Sequence, residues 1–438
     1  MPTLFTQGPL AGTAFARNDA GELCCEGVSL AEIAKNHATP CFIYSARAID
    51  DAFQAFAQAA QSAAADVLVC YALKANSSLA IIQRLAKLGA GFDIVSAGEL
   101  SRVLAAGGDP AKVVFSGVGK KPGEILAALK AGVKCLNVES EAELDIISEI
   151  ASAHGLSAPI SLRVNPDIDA QTHPYISTGL KENKFGVTMT EALRVYIKAS
   201  KLPGIQIEGI DCHIGSQITT IAPFLDSLNK VLALVDELRG HGITIHHLDL
   251  GGGLGICYRD EAPPKPAELL GALLSRVETW ALKQDIPIPE VMFEFGRAIV
   301  GNAGVLITQV ELLKPGEHKN FAVIDAAMND LMRPSLYEAW HAVIPVQERK
   351  DTPALCWDLV GPVCESGDWM AKDRSLSLCR GDLLAILSAG AYAMSMSSNY
   401  NSRGRAAEIL ITADGQCHLI RRRETFVDQI MNEKIPVA

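Results

Sequence analysis

The strongest constraint on this chain is a rhythm. Short apolar, β-branched runs bounded by Gly, Asn, Asp or Pro recur at residues 67–76, 91–96, 113–118, 134–140, 160–166, 207–215, 245–253 and 291–300. Between them lie segments such as LAIIQRLAKLG, AGELSRVLAAGG, PGEILAALKAG and SEAELDIISEIASAHG. Their apolar residues fall at helical spacing and each closes on Gly. Eight alternations of strand and helix over roughly 230 residues suit a closed (β/α)8 barrel, and the same string is compatible with an open doubly wound sheet. The polar residues favour the barrel. Lys74, Asp93, Ser116, Glu139, Arg163, His213, residues 251–253, Glu294 and Arg297 all fall at or just beyond the C-terminal ends of the runs. In a barrel those ends share one face, where an active site belongs.

After about residue 300 the texture changes to short strand-like runs (VLITQVELL, FAVIDA, DLLAIL, AEILIT) separated by turns, which predicts an all-β second domain. The expected organisation is therefore an N-terminal segment, residues 1–40, packing with the β domain; a (β/α)8 barrel over 41–300; and a C-terminal β domain over 301–438.

Composition narrows the function. Apolar residues are 49% and charged residues 20% of the 438, which is a globular balance and excludes disorder. A net charge of -11 disfavours nucleic acid and anionic membrane surfaces, leaving a small molecule as the expected partner. No signal-peptide pattern opens the chain. The longest uncharged run, residues 383–402, is too rich in Ser, Gly, Tyr and Asn to span a bilayer. Eleven cysteines, an odd number with no C-x-x-C pair, read as reduced thiols in a cytoplasmic protein and imply no metal.

Five features carry chemistry. Lys74 ends the run VLVCYALK, where partial desolvation favours a nucleophilic amine able to form a Schiff base; the plainer reading is a strand-end lysine reaching water. Gly251, Gly252 and Gly253 follow a strand directly, as a phosphate cradle or an ordinary tight turn. Glu294, inside VMFEFGRAIV, must protonate or find a cation, either a pyridinium N–H or an internal partner such as Arg297. Arg297 itself suits a phosphate. His213 and Ser216, in CHIGSQ, bring a flat ring and a hydroxyl to the same mouth, unless the histidine is simply satisfied in the core. Cys364 and Glu365 follow a Pro-bounded strand, and this thiol, flanked by charge, is a candidate acid.

Together the segments YALKANS, GFDIVSAGEL, HPYISTGLKENKFG, CHIGSQI, DLGGGLGI, EFGRAIVGNAG, MNDLMRPSLY, GPVCESGD and GAYAMSMSSNYN, in order from about residue 40 to 402, resemble the fold-type III pyridoxal-phosphate decarboxylases. Within that family the likeness is to the branch that acts on meso-2,6-diaminopimelate. The resemblance implies pyridoxal 5'-phosphate as cofactor, Lys74 as its covalent anchor, His213 stacked on its ring and Glu294 on its pyridine nitrogen. It places Ser216, Gly251, Gly252, Gly253, Gly296, Arg297 and Tyr392 among phosphate or substrate contacts. It assigns Arg333 and Tyr337 to the substrate carboxylate and Glu365 to the distal amino group. Cys364 would protonate Cα in the other subunit's active site, so a homodimer is implied. The implied reaction is the carboxy-lyase step that yields L-lysine and CO2, the last of lysine biosynthesis. The alternatives are a related decarboxylase for ornithine, lysine, arginine or carboxynorspermidine, against which Arg333 argues, and a pyridoxal-phosphate-holding protein without catalysis. Phe295 departs from the family pattern, where proline generally stands between the Glu and the Gly.

Overall fold

Each of the eight runs forms a strand: β1 Val67–Ala72, β2 Gly91–Ile94, β3 Val113–Phe115, β4 Cys135–Val138, β5 Ala158–Asn165, β6 Ile205–Asp211, β7 His247–Asp249 and β8 Glu290–Phe295. All pair in parallel with their sequence neighbours, and β8 returns to β1 with Glu294 opposite Cys70, so the sheet closes. The open-sheet alternative is thereby excluded. β2, β3, β4 and β7 are buried at every position, as a parallel sheet covered on both faces requires. The computed structural model describes residues 10, 12–169, 178–179 and 183–436.

The helices follow from local signals. Ser96 and Ser140 cap Ala97–Ala105 and Glu141–Ala153 by accepting from the backbone N–H of Glu99 and Glu143. Pro122–Ala131 has proline at its first position and ends on Gly132 in the left-handed conformation.

Two compact units result, one of residues 50–256 and 262–298, the other of residues 1–49, 257–261 and 299–438. The second holds a nine-stranded sheet whose long central strand is Gly304–Lys314. The strand Cys41–Ser45 lies in this sheet rather than in the barrel, antiparallel to Gly304–Lys314 and parallel to Ala407–Ile411. Its CFIYS sequence is buried throughout, as suits a strand flanked on both sides. Phe15, Leu23, Leu30 and Ile33 from the N-terminal segment share a core with Val305, Ile307 and Ile409.

One histidine in the barrel makes a stability prediction. His247 faces Gly209 across β6 and β7, where a Cβ would lie 2.1 Å from its Nε2, and Nε2 sits 2.6 Å from Ser161 Oγ. Burial, with Lys134 nearby, pushes the imidazole down to about 3. The folded state thus refuses a proton that the unfolded chain accepts below about pH 6.5. Stability falls as pH drops from there toward 3, by on the order of 4 kcal/mol from this residue. Urea unfolding midpoints across this range are expected to decline less steeply for His247→Gln than for the wild type; parallel declines would show that His247 does not titrate this way.

Candidate active site

The C-terminal ends of the barrel strands converge as the sequence suggested. Lys74 lies in a single 3-10 turn, Leu73–Ala75, that follows β1, and its Nζ is 2.7 Å from Asp93 Oδ2 on β2. Asp93 is fully buried while the lysine side chain is about one-third exposed (37%), so the carboxylate fixes an amine that still faces the mouth.

Glu294 is the penultimate residue of β8 and points inward. Ser116 Oγ, just past β3, donates to its Oε1 at 3.3 Å, and Asn137 Nδ2 on β4 donates to the same oxygen at 3.4 Å. Donors from the far wall of the barrel place this carboxyl near the barrel axis. Burial first, and then Asp249, hold its pKa well above the usual carboxylate range.

His213 follows β6. The Gly252 N–H donates to its Nδ1 at 3.1 Å, which makes Nδ1 the acceptor and leaves the proton of the neutral ring on Nε2. Burial, with Arg163 and Lys74 nearby, lowers its pKa well below the ordinary value, so the ring is neutral.

The glycines are there because neighbouring backbone passes too close for a side chain. A Cβ at Gly252 would meet the Glu294 carbonyl oxygen at 1.9 Å, and one at Gly253 the Gly215 carbonyl oxygen at 2.2 Å. A Cβ at Gly296 would meet Ala75 Cβ at 2.9 Å. This close approach draws the loops after β6, β7 and β8 together, and Arg297 Nη2 donates across them to Ser216 Oγ at 3.0 Å. Glycine backbone, a guanidinium and a hydroxyl at one rim are the donor set that an anion such as phosphate requires.

The fold agrees with known relatives. A family model described as pyridoxal-dependent decarboxylase, pyridoxal binding domain, matches residues 47–301. A diaminopimelate decarboxylase of Pseudomonas aeruginosa is 55% identical over 421 residues, covering 96% of this chain and 99% of that protein. The chain belongs to the diaminopimelate decarboxylase family. Among solved structures, diaminopimelate decarboxylase from Helicobacter pylori complexed with L-lysine is 42% identical at a TM-score of 0.86, covering 92% of this chain and 98% of that one. The enzyme from M. jannaschii in co-complex with L-lysine is 36% identical at a TM-score of 0.91, covering 97% and 99%.

Pyridoxal phosphate is the cofactor of this decarboxylase family, and the residues present fit it. The rim offers donors for its phosphate, Lys74 an amine for its aldehyde, and Glu294 a buried carboxyl able to meet a pyridine nitrogen.

The other predicted residues belong to the second unit. Arg333 opens the short helix Arg333–Tyr337; it is buried, its Nη1 donates to Tyr258 Oη, and its guanidinium stacks over the Tyr258 ring at 4.7 Å. Cys364 and Glu365 are exposed in the turn after the strand Leu355–Val360, and Tyr400 Oη donates to Glu365 Oε2 at 2.7 Å. Tyr392 sits at φ +55°, a left-handed conformation rare for a bulky side chain. Of HPYISTGLKENKFG, residues 173–177 and 180–182 lie outside the described residues.

Phe295 leaves β8 undisturbed to its end. Its ring stacks on Phe56 at 4.2 Å and lies 5.6 Å from Phe293, fully buried, so it packs against the helix Ala46–Gln61. Asp211, Asp249, Asn137 and Tyr258 are members of these sites that sequence reading missed. A signal existed for the first two: an Asp at the C-terminal end of a strand, in IQIEGID and HLD.

Proposed function

We propose that this chain decarboxylates meso-2,6-diaminopimelate to L-lysine and CO2, the last step of lysine biosynthesis, with the site residues in the roles that follow. The observation that carries the reading is the convergence on one barrel mouth of the Lys74 amine, the buried Glu294 carboxyl and the glycine rim with Arg297.

Pyridoxal phosphate, when bound, supplies an electron sink for the charge left at Cα as CO2 departs. Lys74 holds it covalently, with Asp93 keeping the amine at the mouth. Glu294 would meet the pyridine nitrogen, and neutral His213, fixed by the Gly252 N–H, would offer its ring face to the cofactor. Gly251, Gly252, Gly253, Gly296, Ser216 and Arg297 would grip the phosphate, and Tyr392 would serve as a further phosphate or substrate contact.

Arg333 and Tyr337 receive the carboxylate of the distal end, and Glu365 its ammonium. A guanidinium suits a substrate with amino-acid groups at both ends, whereas ornithine or lysine would leave it without a carboxylate to meet. Cys364 delivers the proton to Cα. The exposure of its thiol supports service to a second subunit's mouth, so the working form is a homodimer. All the described cysteines are free, in keeping with a cytoplasmic setting, and no helix among the described residues is long and apolar enough to cross a membrane.

The test is CO2 release from diaminopimelate, ornithine, lysine, arginine and carboxynorspermidine side by side. Diaminopimelate is expected to have the highest kcat/KM; a higher value for any other substrate overturns the assignment. Cys364→Ala is expected to lower kcat by about 10²-fold or more with KM little changed, the loss typical of removing a positioned acid. Mixing Cys364→Ala chains with Lys74→Ala chains is expected to restore part of the activity. Full turnover in Cys364→Ala alone would remove it as the proton donor.

A further inference from the structure

Glu294 does not stand alone on the barrel axis. One carboxylate oxygen from each of Asp211, Asp249 and Glu294 lies within 4.8 Å of the other two, and all three side chains are buried. They come from the ends of three successive strands, β6, β7 and β8. Two cations face the group. Arg163 makes its shorter contact, 2.9 Å, with Glu139 and stands 3.8 Å from Asp211, while Lys74 is 2.7 Å from Asp93. Asp93 adds a further carboxyl that raises both Asp249 and Glu294, while the thiols of Cys70, Cys135 and Cys212 and the imidazole of His213 are held neutral by burial.

The hydrogen-bond donors are unevenly shared. Ser116 and Asn137 serve Glu294 Oε1, and the Gly251 N–H serves Asp249 Oδ1 at 3.0 Å. Asp249 Oδ2 is buried, and no donor among the described residues reaches it. Two carboxyls this close in a site of low dielectric, one with an oxygen that lacks a donor, are stable with a single proton between them. The energetics agree in direction. Burial raises both groups, Asp249 to about 6 and Glu294 well above the usual carboxylate range, so the pair retains a proton near neutral pH.

We propose that Asp249 is a positioning residue for Glu294: the two carboxyls share one proton, which Glu294 yields to the pyridine nitrogen it faces, leaving adjacent carboxylates that hold that proton on the ring. The O–H bond at Glu294 breaks, the N–H bond forms, and no other bond changes. A single carboxylate would hold the ring proton less firmly than two, because the second adds its charge where water cannot screen it. The inference rests on the reading of Glu294 as the pyridine partner.

The experiment uses holoenzyme loaded with pyridoxal phosphate labelled with nitrogen-15 in the ring. In Asp249→Asn the ring-nitrogen resonance is expected to move toward the unprotonated position. In the same variant kcat is expected to fall by about ten-fold or more, with KM little changed. Reductive trapping is expected still to label Lys74. Asp249→Ser, smaller and equally neutral, is expected to give the same result and serves if the asparagine variant does not fold. A ring-nitrogen resonance unchanged from wild type in the folded variant overturns the proposal, whatever the rate. If Lys74 is not labelled in the wild type, the functional reading itself fails, which is a separate outcome.

Discussion

Replacing Lys74 with alanine is expected to lower decarboxylation by on the order of 10³-fold or more, since the variant loses both the covalent anchor and the amine that releases product. The geometry makes the effect specific. Asp93, fully buried on β2, holds Nζ at 2.7 Å, so the amine is fixed at the short turn that follows β1. Glu294, Ser216 and Arg297 remain in Lys74→Ala, so pyridoxal phosphate is still expected to bind, non-covalently. Borohydride reduction followed by peptide mapping should label the Lys74 peptide in the wild type and nothing at that position in the variant. A variant that keeps its rate within about ten-fold of wild type would end the proposal that this lysine is the anchor.

Arg163→Met is expected to destabilise the barrel by about 3–5 kcal/mol, the range for removing one partner of a buried ion pair. The guanidinium lies 2.9 Å from Glu139 and 3.8 Å from Asp211, with side-chain exposures of 8%, 2% and 1%. It also covers the Phe185 ring at 4.9 Å. Methionine keeps much of the volume and none of the charge, so two carboxyls are left in a dry site without a cation. Burial already raises Asp211 and Arg163 opposes it, so without the guanidinium Asp211 takes up a proton in the folded state more readily than in the unfolded chain, and part of the lost stability returns as pH falls. Guanidinium unfolding midpoints at neutral and mildly acid pH measure both effects. The double variant Arg163→Met, Glu139→Gln should lose less than the sum of its parts. A midpoint shift below about 1 kcal/mol would show that the pair is solvated.

The barrel was legible because parallel strands buried on both faces must be apolar runs, and because the polar residues cluster at one end of each. Lys74, His213, Glu294 and Arg297 fell at strand ends by position alone, and what each does there came from the family resemblance. The strand Cys41–Ser45 was assigned to the barrel because an apolar pentapeptide carries no label for its sheet; only its pairing with residues 304–314 and 407–411 decides. Asp211 and Asp249 escaped notice for a different reason. Each closes a strand, and its importance depends on a carboxyl contributed by another strand, a relation set by barrel closure.

The strand Cys41–Ser45 has a consequence for biogenesis. A ribosome that has delivered every residue of the barrel has still not made either neighbour of Cys41–Ser45, the later of which ends at Ile411. The nascent polypeptide must therefore carry a sticky, apolar ribbon with two bare hydrogen-bonding edges until Gly304–Lys314 is made, and with one until Ala407–Ile411 follows, the condition under which incomplete chains aggregate or need chaperone cover.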